Sequence, residues 1–165
     1  MKFNTRRMVL SAMLAAICCV VTTFLKIPSP FKGYINLGDC IVLLCGWVLS
    51  PIYGFLAAGL GSLFADVFAG YVMYAPVTFV IKGAMALIAN YCFRSMHSRF
   101  SNTVSRIVGG VLAEIIMVLG YFVFEGFLYG FVPSAVNIPI NAVQGIAGLI
   151  AGIILARVFD KTKII

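Results

Sequence analysis

The sequence predicts an all-α membrane protein folded as a single bundle of six transmembrane helices. Only 10% of the 165 residues are charged and 62% are hydrophobic, whereas soluble domains average about 25% charged residues. The mean hydropathy is +1.09. Six apolar runs are long enough, or nearly so, to cross a bilayer core, which takes about 20 residues of helix. We predict one membrane domain over residues 1–165, with spans at 8–25, 37–49, 52–70, 73–93, 104–128 and 137–159.

The first run follows Lys2, Arg6 and Arg7, and in this respect it imitates a secretory signal peptide. It is longer than the apolar region of such a peptide, and no small-x-small cleavage site precedes a soluble domain. We therefore interpret it as the first span. Within it, Ala12 and Ala16 stand four residues apart, a spacing that lets helix backbones approach closely.

The second run is short, about 20 Å of helix. It meets the third run at Ser50 and Pro51, and proline can begin a new helix but cannot continue an old one. Residues 37–70 are therefore expected to form a helical hairpin with a tight inner turn.

The basic residues that flank the runs predict the orientation. Cytoplasmic loops carry an excess of lysine and arginine, and only Lys26 and Lys32 fall on the outer side if both termini are cytoplasmic. That asymmetry fits six spans with both ends inside. The residues on the inner side are Lys2, Arg6, Arg7, Arg94, Arg99, Arg106, Arg157, Lys161 and Lys163.

Three ionisable residues, Asp66, Lys82 and Glu114, lie inside apolar stretches. Such residues are costly at membrane depth and normally face a protein interior or a watery cavity. Lys82 lies about 13 Å into its span and Glu114 about 15 Å in from the opposite face, so a Lys82–Glu114 ion pair is expected, with Asp66 as the alternative partner. The pair either fixes helix packing or contacts a ligand, and the sequence leaves both roles open.

Polar side chains recur on one face of the sixth span, at Asn137, Asn141 and Gln144. Residues at these spacings share a helix face, and one or two of them would suffice for hydrogen bonding between helices. The set predicts a pocket that opens outward, because Asn137 begins at the outer boundary. The fifth span carries a comparable polar stripe, at Glu114, Tyr121 and Glu125.

Tyrosines gather near the predicted outer side, with Tyr74 and Tyr121 among them. Part of this is the ordinary aromatic belt of a membrane interface, and part of it suits stacking on a flat ligand. Apolar walls with a few placed polar groups are typical of small-molecule sites.

The sequence argues against other classes of function. The five cysteines show no CxxC or zinc-finger spacing, and no Gly-rich phosphate loop is present. We expect no metal, no cofactor and no nucleic acid. An intramembrane enzyme with Glu114 or Asp66 as its base lacks paired carboxylates or a Ser/His arrangement, so we expect no enzymatic activity. A structural or channel subunit held by the buried lysine pair is the other alternative.

Three segments carry a resemblance to a known family: Gly-Tyr-Ile-Asn-Leu-Gly-Asp at 33–39, Gly-Leu-Gly-Ser-Leu-Phe-Ala-Asp at 59–66, and the run from Tyr74 to Gly83. The chain resembles the substrate-binding S components of energy-coupling-factor (ECF) vitamin transporters, closest to the riboflavin, pyridoxine or hydroxymethylpyrimidine branch. The likeness covers nearly the whole chain.

This resemblance implies a bacterial cell-membrane protein that binds a vitamin from outside. It also implies partners, namely a membrane T component and two cytoplasmic ATPases. Ala12 and Ala16 match the family's small-residue docking motif, and residues 29–36 match its outer gating loop. The positions nearest the family's site are Asn36, Asp39, Lys82, Asn137, Asn141 and Gln144.

Asp39 has a second interpretation. It follows Gly38 at the start of the second span, where an acidic side chain favours a helix N-terminus. Capping and gating both stay open for it. The identity of the vitamin is open as well, since a carboxylate or phosphate suits Lys82 and a neutral heterocycle suits the amides.

Overall fold

A computed structural model describes residues 5–29 and 33–162. Within these ranges the protein is almost entirely helical, which confirms the predicted class. Five segments are long and apolar enough to cross a membrane: the four longer helices before residue 130, and residues Phe131–Lys161. The helices are α1 (Thr5–Phe24), α2 (Asp39–Val48), α3 (Pro51–Phe68), α4 (Ala75–Met96), α5 (Asn102–Tyr129), α6 (Phe131–Ala135) and α7 (Asn137–Thr162).

The number of spans and their orientation stay predictions. The helix α2 has 10 residues, about 15 Å of length, and is too short to cross a bilayer core alone. Several of the residues behind the predicted orientation, among them Lys2, Lys32 and Lys163, lie outside the described part of the chain.

Helix α2 is surrounded by protein. Nine of its ten residues are buried, and it packs against α3, α4 and α7. Small residues let these neighbours approach. A Cβ atom on Gly46 would lie 2.6 Å from the carbonyl oxygen of Ala86, and one on Gly148 would lie 2.6 Å from the Cβ atom of Asp39. The first turn of α2 is therefore held deep inside the bundle, and Asp39 with it.

The segment between α1 and α2 forms an antiparallel hairpin, where the sequence predicted only a loop. Strand β1 (Lys26–Ser29) pairs with β2 (Gly33–Asn36), and Lys26 stands opposite Asn36. The tip of the expected gating loop, residues 30–32, lies outside the described residues. The hairpin brings Asn36 directly above the start of α2.

The other end of the bundle is tied by polar contacts that do not reach the hairpin. The side-chain amide of Asn90 donates to the carbonyl oxygens of Gly46 (2.6 Å) and Leu49 (2.8 Å), which closes the C-terminal end of α2. Arg106 donates two hydrogen bonds to Asp160, at 2.6 and 2.8 Å.

Candidate ligand-binding site

A cavity lies among the ends of α3, α4, α5 and α7 nearest the hairpin. Its volume is about 50 Å³, and the empty space including its open mouth is about 610 Å³. A benzene-sized ligand needs a cavity of about 150 Å³, so the cavity in this structure is too small for an aromatic ring. The lining residues are Thr22, Asn36, Ser62, Asp66, Tyr71, Tyr74, Thr78, Lys82, Tyr121, Glu125, Asn137, Ile140, Asn141 and Gln144.

The buried lysine pairs with Asp39, and not with Glu114 or Asp66 as the sequence predicted. The ammonium group of Lys82 donates to Oδ1 of Asp39, and both side chains are almost wholly buried. The prediction failed because helix rise gives the level of a residue across the membrane but not its neighbours around the bundle. It also placed α2 in a hairpin with α3, without seeing that its first turn faces α4.

Both oxygens of the Asp39 carboxylate are engaged by other side chains, which argues against the capping interpretation, while its gating role stays a prediction. Oδ1 accepts from Lys82, and Oδ2 accepts from the side-chain amide of Gln144 at 2.6 Å. Asp39 lies in the first turn of α2, where its charge also favours the helix dipole. Its side chain nevertheless belongs to the polar cluster at the cavity and does not cap the helix.

Gln144 links this cluster to the hairpin. Its side-chain oxygen accepts from the backbone N–H of Asn36 at 3.0 Å. The side-chain oxygen of Asn36 in turn accepts from the backbone N–H of Gly38 at 2.8 Å. Gly38 has no room for a side chain, because a Cβ atom there would lie 1.9 Å from Oγ1 of Thr22. A continuous chain of hydrogen bonds therefore runs from β2 through Gln144 and Asp39 to Lys82.

Aromatic side chains form another wall of the cavity. The hydroxyl of Tyr121 donates to Oγ1 of Thr78 at 3.1 Å, and the Lys82 ammonium lies 5.6 Å from the centre of the Tyr121 ring. Tyr74 packs edge-on against Tyr71 and Phe124, with ring centres 6.2 and 5.2 Å away. The rings are thus held in place by one another before any ligand arrives.

Glu125 and Asn137 meet at the same end of the cavity, where the amide of Asn137 donates to the Glu125 carboxylate at 2.8 Å. Asn141, one turn further along α7, is half-buried and lines the cavity. The polar stripe predicted on the sixth span therefore faces a common space with Glu125 and Asp66.

Glu114 does not line this cavity. It lies where α5 packs on α7, with its carboxylate so close to Gly145 that a Cβ atom there would be 2.9 Å from Oε2. The side chain is buried, and neither carboxylate oxygen has a hydrogen-bond partner within the described residues. A buried polar group without a partner costs free energy, and Glu114 is not a member of the polar cluster.

Sequence reasoning missed one cavity residue that a helix periodicity argument can find. Thr78 stands four residues before Lys82, so the two share a helix face. Thr22, from α1, had no such signal, because it comes from a helix with no ionisable residue in its apolar part.

Ala12 and Ala16 lie on the outward face of α1 and are exposed. Ala15, between them, faces inward, and its carbonyl oxygen would lie 2.5 Å from a Cβ atom on Gly61 of α3. Ala12 and Ala16 therefore form a strip of small residues on the exposed surface of α1.

Comparisons with known proteins agree on one family. Residues 2–161 match the family model described as "ECF-type riboflavin transporter, S component". The chain is 35% identical over 144 residues to an uncharacterized protein of Pyrococcus woesei, which covers 86% of this chain and 93% of that protein. It is 22% identical over 168 residues to the thiamine precursor transporter HmpT of Lactococcus lactis, covering 98% of this chain and 92% of HmpT.

A solved structure is also similar. It is described as the S component of a bacterial ECF transporter, and it superposes with a TM-score of 0.78 at 26% identity. The match covers 96% of this chain and 97% of that one.

Proposed function

Because the chain belongs to the family of ECF-type riboflavin transporter S components, we propose that it binds a small vitamin or vitamin precursor in the cavity beside the hairpin and presents it for ATP-driven uptake. The family consists of transporter components, so the enzyme alternative is dropped. The alternative of a channel or structural subunit built on a Lys82–Glu114 or Lys82–Asp66 pair loses its premise, since the partner of Lys82 is Asp39.

The observation that carries this proposal is the polar cavity itself. Amide, hydroxyl and carboxyl groups converge inside a bundle whose outer faces are apolar, together with three tyrosine rings. Polar side chains buried at membrane depth mark a functional site by default. A few placed polar groups between apolar and aromatic walls are typical of small-molecule pockets.

We expect ligand entry to require movement of the hairpin. The cavity of about 50 Å³ is smaller than a single aromatic ring needs. Asn36 of the hairpin lines the cavity, and its backbone N–H donates to the side-chain oxygen of Gln144. Breaking that bond frees the side-chain oxygen of Gln144 to accept from a ligand, so opening and binding would share one residue.

The proposed partners are a membrane T component and two cytoplasmic ATPases, as the family implies. The exposed strip formed by Ala12 and Ala16 on α1 is the proposed contact with the T component. Both termini are proposed to lie in the cytoplasm of a bacterium, with the cavity facing outward.

The experiment that tests the proposal is a thermal unfolding screen of the purified protein in detergent against riboflavin, pyridoxine and hydroxymethylpyrimidine. One of these, or a close relative, should raise the unfolding temperature and bind at a ratio of one to one. Replacing Asn141 with alanine should remove the ligand-induced rise while leaving the unfolding temperature of the free protein nearly unchanged.

The matched control is Asn90→Ala. Asn90 is also a buried asparagine, but it closes the far end of α2. Its replacement should cost about 1–3 kcal/mol of stability, because two carbonyl oxygens lose their donor, and should preserve the ligand-induced rise. Stabilisation by no vitamin in the panel would count against the proposal.

A further inference from the structure

We propose that the cavity selects ligands that are uncharged or cationic and rich in hydrogen-bond donors, and that it excludes carboxylates and phosphates. This inference rests on the proposed function and names the chemical class of ligand. It concerns a point that the sequence left open, namely whether Lys82 serves an anionic substrate.

The first step is that Lys82 is already occupied. Its ammonium group is bound by the carboxylate of Asp39, with side-chain exposures of 4% and 0%. An anionic ligand would have to displace Asp39, which α2 holds in place, or share the ammonium with it. Displacement leaves a buried carboxylate without its partner, which is strongly unfavourable. Sharing places two anions side by side in a medium of low dielectric.

The second step concerns the other charged groups of the wall. Among the described residues that line the cavity, Lys82 is the sole cation, whereas Asp66 and Glu125 are both acidic. Asp66 lies at the end of α3 and Glu125 on α5, so the acidic groups come from different helices. With Lys82 neutralised by Asp39, the wall carries an excess of acidic groups, and these favour a donor or a cation.

The third step is the geometry around Glu125. Its carboxylate accepts from Asn137, so it is held in place in the cavity wall. Tyr71 and Tyr74 line the same cavity and pack edge-on against each other. A flat heterocycle could stack among these rings and direct an amino or ammonium group at the carboxylate. Aromatic rings are also attracted to cations, so they add to the same preference.

The test compares ligands that share a ring and differ in charge. Pyridoxamine is set against 4-pyridoxic acid, riboflavin against flavin mononucleotide, and hydroxymethylpyrimidine against its phosphate ester. Affinities are measured by calorimetric titration of the detergent-solubilised protein. One of these rings is expected to bind. For that ring, the uncharged or cationic compound should bind at least about tenfold more tightly than the anionic compound, a difference of about 1.4 kcal/mol in binding free energy.

Substitutions that remove the charge of a carboxylate but keep its size test whether that charge causes the preference. Glu125→Gln should reduce this ratio by raising the relative affinity for the anionic member, and Asp66→Asn should act in the same direction if the first variant does not fold. Asp160→Asn is the matched control, because it removes a carboxylate that binds Arg106 at the other end of α7. It should leave the ratio unchanged.

The inference is overturned if an anionic member binds as tightly as its partner, or if both cavity variants leave the ratio as it is. Those results would leave the proposed function standing, since a vitamin would still bind. Failure of every compound to bind would contradict both.

Discussion

Replacing Lys82 with methionine is expected to destabilise the protein by about 3–5 kcal/mol, because it leaves the buried carboxylate of Asp39 without its cation. The two side chains are almost completely excluded from solvent, so water cannot replace the lost partner. The double variant Lys82→Met, Asp39→Leu should recover most of that loss, since apolar residues of similar volume often replace a buried ion pair without cost. The measurement is the unfolding free energy of each variant by denaturant titration in detergent.

Glu114→Leu is the matched control for this cycle. Glu114 is also a buried acid near mid-helix, but its carboxylate has no hydrogen-bond partner among the described residues. Its removal should leave stability unchanged or raise it, because an unsatisfied buried polar group costs free energy. A loss in Glu114→Leu as large as that in Lys82→Met, without recovery in the Lys82→Met, Asp39→Leu double variant, would return the ion pair to Glu114 and contradict the geometry described above.

The second large effect is expected on transport. Replacing Ala12 or Ala16 with phenylalanine should abolish vitamin uptake by cells and leave ligand binding by the purified protein intact. Both alanines are exposed on α1, and small residues at this spacing allow another helix to approach closely. A bulky ring would hold the proposed T component away from α1 without reaching the cavity. Uptake of labelled vitamin and calorimetric binding are measured on the same variants.

Ile17→Phe serves as the control for bulk on α1. Ile17 is 42% exposed on the same helix but is already large, so a phenylalanine adds little at the alanine strip. Uptake should persist in this variant. Equal loss of binding and uptake in the alanine variants would show that they damage the fold, and it would remove the docking role from Ala12 and Ala16.

The sequence was sufficient for features that depend on periodicity along one helix. Asn137, Asn141 and Gln144 follow a helical spacing, and the structure brings all three to the cavity. The same holds for Tyr121 and Glu125 on α5. A side chain's direction around its own helix follows from residue number, so these polar stripes can be predicted from the sequence alone.

Contacts between helices were not predictable in the same way. The partner of Lys82 depends on which helix lies beside α4 at that level, and neither helix rise nor hydropathy contains that information. The sequence left two interpretations of Asp39 open, capping and gating, because the residue stands at a helix start. In the structure, α2 is buried against three other helices, and the Asp39 side chain lies in the polar cluster. Glu114 lies on the same face of α5 as Tyr121, but α7 packs against Glu114 at Gly145, so Glu114 does not line the cavity.

The β-hairpin could not be predicted from the sequence, for a different reason. Its strands have four residues each, and segments of this length carry little periodic signal. One of the contacts that hold it is a hydrogen bond from the Asn36 backbone to a side chain 108 residues away, a contact that no local pattern encodes.

Native mass spectrometry of the freshly purified protein tests the central claim most directly. We expect the intact chain to carry one small molecule, of the mass of a vitamin or vitamin precursor without a carboxylate or phosphate group. That mass should be lost from the Asn141→Ala and Gln144→Ala variants and kept by Asn90→Ala. A protein that emerges without any bound molecule and takes up none from the vitamin panel, or one whose bound molecule persists in both cavity variants, would contradict the account.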